Sequence, residues 1–155
     1  MKRLNPYYVT GLVDGEGSFY VGILPRSHNY VGWEARPSFS LSQNEENKKL
    51  VFQLKSFFRC GTIRPSKKDR MIKYEVRCFK DLNQKIIPHF DKYQLVGEKK
   101  KNYEVFKKAI RIISEEKHLK KNGLKDIAKL AIKMTKNPRR IKYLEKIITL
   151  LEGIV

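Results

Sequence analysis

The sequence predicts an α+β domain in the order α-β-β-α-β-β-α, followed by further helices. Three observations lead to that class. Residues 18–24 and 33–42 alternate apolar and polar side chains with the period of two that half-buried strands show. A second pair of strand-like segments, 62–65 and 71–79, flanks a polar loop. Between and after these pairs the apolar spacing lengthens to the helical period, and a short helix-like stretch precedes the first pair.

Residues 6–15 read as that first helix, with Asn5 as its cap and Pro6 in its first turn. Gly11 and Gly15 lie four apart on one face. Without side chains they let a second helix approach backbone to backbone. Glu16 stands at the end of this seam. Phe19, Val21 and Ile23 then share one strand face, with Ser18, Tyr20, Gly22 and Leu24 on the other. A polar turn at 25–32 carries Arg26, His28 and Asn29. In the next strand Trp33, Ala35, Phe39 and Leu41 oppose Glu34, Arg36, Ser38 and Ser40, which completes a half-buried hairpin.

Residues 44–58 change period, and the stripe Leu50, Leu54, Phe57 and Phe58 predicts a helix packed on the sheet, closed by Cys60 and Gly61. The second hairpin turns through Ser66-Lys67-Lys68-Asp69-Arg70. Its second strand puts Ile72, Tyr74, Val76 and Cys78 on one face and Lys73, Glu75 and Arg77 on the other. Residues 81–87 are helical and are ended by Pro88. From Glu98 onward the stripes are Tyr103, Phe106, Ile110 and Ile113; then Leu124, Ile127, Ala131 and Met134; then Ile141, Leu144, Ile148 and Leu151. The last is opened by Asn137-Pro138 and closed near Gly153.

The 155 residues include 34 Lys and Arg against 16 Asp and Glu, a formal charge of +18. Solubility needs far less, so a polyanionic partner is expected. No stretch approaches the roughly 20 apolar residues of a membrane-spanning helix. Met1-Lys2-Arg3 leads into structure without the apolar core of a signal peptide, so a soluble, intracellular protein without a membrane partner is expected. Cys60 and Cys78 fit neither a CxxC spacing nor a nearby His pattern, and read as free, partly buried thiols. His28, His89 and His118 are scattered and read as surface or packing residues, which argues against a His-metal nuclease. Trp33, Phe57 and Phe58 read as core.

The run Val9-Thr10-Gly11-Leu12-Val13-Asp14-Gly15-Glu16-Gly17, continued by Ser18-Phe19, resembles the signature of the LAGLIDADG homing endonucleases. The resemblance spans about residues 6–114 of a single domain 1–155, with 115–155 as a helical extension. It implies a site-specific double-strand DNA endonuclease that hydrolyses phosphodiester bonds at a long, partly palindromic target. The chain carries one motif, so it would act as a homodimer, with Gly11, Leu12, Asp14 and Gly15 at the seam. It further implies a divalent metal, Mg²⁺, held by Glu16 with the carbonyl of Gly15. Gln43 would order water at the scissile phosphate. The segment Leu95-Val96-Gly97-Glu98-Lys99-Lys100-Lys101 resembles the family's stretch before a helix with spaced aromatics, and points to Lys99, or Lys100 in its place, as the cation that stabilises the phosphate. Asp14 either hydrogen-bonds near the helix end or joins the metal site.

The polar strand faces nominate Tyr20, Leu24, Arg26, Glu34, Arg36, Ser38, Ser40, Arg64, Ser66, Lys73, Glu75 and Arg77 for DNA contact in a groove. Lys67, Lys68 and Arg70 are placed on phosphates. Members resembling this family also serve intron RNA as splicing cofactors (maturases), so an RNA-binding role on the same scaffold is the alternative reading, and a DNA-binding regulator without catalysis is the third. Resemblance to intron-encoded proteins implies either an organelle, mitochondrion or chloroplast, or a microbial cytoplasm.

Overall fold

A computed structural model describes residues 2–153. Helix α1 (Pro6–Glu16) begins where Asn5 accepts the Tyr7 N–H at 2.9 Å, with Pro6 at a position that needs no donor. Strands β1 (Gly17–Pro25) and β2 (Trp33–Asn44) follow, then a single 3₁₀ turn (Glu45–Asn47) and helix α2 (Lys48–Phe58). The second hairpin is β3 (Thr62–Pro65) and β4 (Met71–Val76). The four strands form one sheet in the order β1-β2-β4-β3, with β2 and β3 both antiparallel to β4. Helical turns α3 (Phe79–Asp81) and α4 (Ile87–Lys92) are joined by a π segment, Leu82–Ile86. Helices α5 (Lys99–Ser114), α6 (Lys121–Lys133) and α7 (Pro138–Gly153) complete the chain, with a 3₁₀ turn at Lys117–Leu119. This is the predicted α-β-β-α-β-β-α order with added helices.

Several local expectations shift. The second strand of the second hairpin ends at Val76, so Cys78 is exposed instead of sharing the face of Ile72, Tyr74 and Val76. The buried face of α2 is Val51, Leu54 and Phe58, one step around the helix from the expected stripe; Leu50 and Phe57 are only half-buried. Trp33 is likewise half-buried. Pro88 does not end its helix. The π segment just before it widens the turn, so the carbonyl that Pro88 leaves without a partner does not break the path.

The chain divides into two compact units. One comprises the chain up to Phe19 together with Ser38–Lys101; the other comprises Tyr20–Pro37 together with the chain from Asn102 onward. In the first unit Val9, Val13, Phe39, Leu41, Leu54, Tyr74, Leu82 and Phe90 are buried, and Phe39 meets the rings of Phe19, Phe58, Tyr74 and Phe90 at 5.3–6.3 Å. In the second the buried residues include Val21, Ile23, Val31, Phe106, Ile110, Leu124, Ile127, Ala131, Leu144 and Leu151.

His89 is the polar residue set into the aromatic core of the first unit, edge-on to Phe57, Phe58 and Phe90. The Thr10 hydroxyl donates to the Tyr93 carbonyl at 2.9 Å, so at 3.1 Å it accepts from His89 Nε2, which fixes that nitrogen as protonated in the neutral ring. Burial pushes the His89 pKa down from 6.5 to about 4. Because the unfolded chain binds this proton more readily, stability is full above pH 6.5 and falls between 6.5 and about 4. The loss amounts to roughly 3 kcal/mol when complete. Thermal melts from pH 7 to pH 4 should show this slope in the parent and a shallower one in His89→Gln; equal slopes would assign the acid sensitivity elsewhere.

Candidate nucleic-acid interface and acidic helix end

α1 passes directly into β1 at Gly17, and the local geometry demands glycine there. A Cβ at Gly17 would lie 2.5 Å from Val13 Cγ1 and 2.8 Å from the Val13 carbonyl. The abrupt exit leaves Glu16 as an exposed last helical residue, with no ion pair among the described residues. Its carboxylate sits at the helix end where unpaired carbonyls concentrate partial negative charge, and no basic residue lies in that last turn. A Cβ built on Gly11 or Gly15 meets nothing within 4 Å, and Tyr7 and Tyr8 are exposed beside them. The glycine face is thus open in the single chain.

Asp14 is hydrogen-bonded within its own chain. Its two carboxylate oxygens accept the backbone N–H groups of Val96, at 2.8 Å, and Gly97, at 3.1 Å. Asp14 thus tethers the loop before α5. Gly97 in turn accepts the Lys100 N–H at 3.0 Å, so the tether reaches the first turn of α5. Lys99 opens that helix half-buried, Lys100 is exposed, and the Lys101 ammonium is drawn to Glu98 at 3.2 Å.

Gln43 lies inside β2, opposite Ile72 of β4, where the sequence placed it just past the strand. Pairing with β4 extends the strand two residues beyond the point where its own alternation fades. The Gln43 amide oxygen accepts from Asn47 Nδ2 at 3.2 Å.

Register places Ser40 opposite Glu75 and Ser42 opposite Lys73, with Arg64 and Thr62 across β4 from Lys73 and Glu75. These cross-strand partners share one sheet face. Ser42 and Thr62 belong to it although the sequence did not single them out; their position follows only from register. Glu75 departs from expectation more sharply. It is 4% exposed, beneath Lys73 Nζ at 3.2 Å, Arg77 Nε at 3.0 Å and Arg64 Nη2 at 3.6 Å. Burial works to raise its pKa, but Lys73 and Arg77 outweigh it and hold the carboxyl below its ordinary value. Glu75 is thus no exposed contact residue. It is an anion that gathers three partly exposed cations.

In the second unit Glu34 similarly takes Arg36 at 3.0 Å and Arg26 at 3.6 Å. Tyr20 and Leu24 present exposed side chains, and Ser38 of the first unit is half-buried. Ser66, Lys67, Lys68 and Arg70 are all exposed in the turn between β3 and β4, where Arg70 adopts a left-handed φ of 54°.

A basic antiparallel sheet, fed by a helix with an open glycine face and an acid at its end, defines a LAGLIDADG-type domain. The model of the LAGLIDADG endonuclease family matches residues 9–110, and the chain belongs to that family. It is 35% identical over 125 residues to a probable intron-encoded endonuclease of Neurospora crassa, covering 80% of this chain and 28% of that protein. The crystal structure of a homing endonuclease, I-TnaI, superposes with a TM-score of 0.87 at 31% identity, over 94% of this chain and 99% of that one. I-SmaMI bound to cleaved DNA superposes with a TM-score of 0.85 at 31% identity, over 93% of this chain and 49% of that one. I-SmaMI has also been solved on an uncleaved DNA target in the presence of calcium ions. This chain spans about a quarter of the length of the first curated relatives it matches. No described helix is long and apolar enough to cross a membrane.

Proposed function

We propose that this chain is a site-specific double-strand DNA endonuclease that works as a homodimer, with Mg²⁺ as its divalent metal. The observation that carries the reading is Glu16, exposed and without an ion pair among the described residues, at the end of a glycine face open to a second helix. Two copies meeting through α1 would bring two such carboxylates together on a two-fold axis. The match to nearly the whole of I-TnaI and to about half of I-SmaMI supports one domain per chain and two per working unit.

The donor set fits a hard divalent ion: a free carboxylate from Glu16 and the Gly15 carbonyl, both oxygen ligands at a negative helix end. A bound ion would neutralise charge on the phosphate and favour ionisation of water. The Gln43 amide would orient the attacking water. Lys99 sets an ammonium against the extra negative charge as the water oxygen bonds to phosphorus and the bridging P–O bond breaks. Arg36, Arg64, Lys73 and Arg77 enter the groove already held in place by Glu34 and Glu75, which lowers the entropy lost on binding. Lys67, Lys68 and Arg70 meet phosphates, which fix position without reading sequence. The names of the relatives favour DNA cleavage over intron RNA folding. They also support an intron-encoded origin, in an organelle or a microbial cytoplasm.

Incubating the protein with a plasmid library of random inserts and Mg²⁺ should linearise a small subset that shares one partly palindromic sequence, and EDTA should stop the reaction. Uniform nicking, or cutting unaffected by EDTA, would overturn the reading.

A further inference from the structure

Strand β1 is an edge of the sheet, and its outer rim is not left to water. Val21 and Ile23 lie two apart, so their carbonyls point to the same side of the strand. Arg140 of α7 donates from Nη2 to the Val21 carbonyl at 2.6 Å, and the Tyr143 hydroxyl donates to the Ile23 carbonyl at 2.9 Å. The same Arg140 guanidinium lies 4.0 Å from the centroid of the Tyr20 ring. Asn137 starts α7 by accepting the N–H groups of Arg139 and Arg140, which sets the first turn from which Arg140 reaches β1. All of these groups belong to the second unit. A helix outside the residues matched by the family model therefore holds one of the nominated base-contacting side chains by its ring and its strand by two carbonyls.

We propose that Arg140 and Tyr143 are positioning residues for base recognition, which set the base preference at the β1 end of the sheet by holding Tyr20 and the β1 rim. The proposal rests on the reading of the sheet as the DNA-recognising surface. Arg140 is half-buried and spent on Val21 and Tyr20, unlike the freely exposed cations of the turn at Lys67 and Lys68. Its planar guanidinium supplies both the stack and the hydrogen bond, which a lysine ammonium does not reproduce together.

The test selects preferred duplexes from a random library with the full chain and with Tyr20→Ala, Arg140→Ala, Arg140→Lys and Tyr143→Phe. Tyr20→Ala should flatten preference at a few adjacent positions. Both Arg140 variants should flatten those same positions by roughly fivefold or more, as expected for loosening a base contact. Tyr143→Phe should do so more weakly, and single-turnover cleavage at saturating DNA should stay within about threefold in the Arg140 variants. The Tyr20→Ala/Arg140→Ala double variant should be no flatter than Tyr20→Ala alone, the non-additivity of residues acting through one another. If Arg140→Ala does not fold, Arg140→Lys and Tyr143→Phe decide the matter. Wild-type preference in Arg140→Lys, or a uniform loss of affinity with an unchanged profile, would make Arg140 a phosphate contact and overturn the proposal. A profile altered by Arg77→Ala but by none of these variants would overturn it while leaving the recognition sheet in place. No preference in the parent chain would overturn both.

Discussion

Glu16→Gln should abolish strand cleavage, with a loss of roughly 1,000-fold or more, about 4 kcal/mol of transition-state stabilisation. The substitution keeps the size of the side chain and removes the charge that would hold a divalent ion. Glu16 is exposed and makes no ion pair among the described residues, so the melting temperature should hardly move. DNA binding without metal should be equal or tighter, because one negative charge per copy has been withdrawn from beside the phosphates. Glu45→Gln, in the 3₁₀ turn after β2, is the control and should leave cleavage unchanged. The measurement is a cleavage time course in Mg²⁺ beside a binding titration in EDTA. Parental cutting by Glu16→Gln would remove Glu16 from the reaction.

Gly11→Leu should disassemble the proposed dimer and stop double-strand cleavage without unfolding the chain. Within one copy a side chain at Gly11 meets nothing within 4 Å, so leucine creates no internal clash. Replacing glycine inside a helix should raise the stability of the isolated chain by up to ~1 kcal/mol. Against a second copy the same leucine would hold two backbones apart, and a close-packed seam does not absorb that volume. Light scattering should report the mass of one chain, with an unchanged helical spectrum. A folded, dimeric and fully active Gly11→Leu protein would exclude α1 as the seam.

Much of the fold was legible because its determinants are local. Asn5 and Pro6 start α1, and Gly17 ends it, through contacts within a few residues. The alternation in β1 and β2 marks the buried faces directly, as Phe19, Val21, Ile23, Phe39 and Leu41 confirm. Pattern failed where a neighbour in space changed the outcome. β2 runs on through Gln43 because β4 pairs with it there, and the π segment carries a helix through Pro88. The buried face of α2 lies one position from the stripe its spacing predicts, since Leu50, Val51, Phe57 and Phe58 offer two overlapping apolar faces and only the surrounding core selects one.

By itself the sequence determined the order of elements, the open glycine face, the acid at its end and the excess of positive charge. These depend on residue type and short spacing, which the chain carries whether or not it is folded. Only the tertiary structure decided what Asp14, Glu75 and Arg140 do. Asp14 meets Val96 and Gly97 more than eighty residues away, and Arg140 meets Val21 across an even longer stretch of chain. Glu75 alternates like an exposed strand residue, yet is buried because Arg64, Lys73 and Arg77 converge over it. A charge can be buried only when opposite charges offset its lost hydration, and no local pattern records whether distant side chains will arrive to do so.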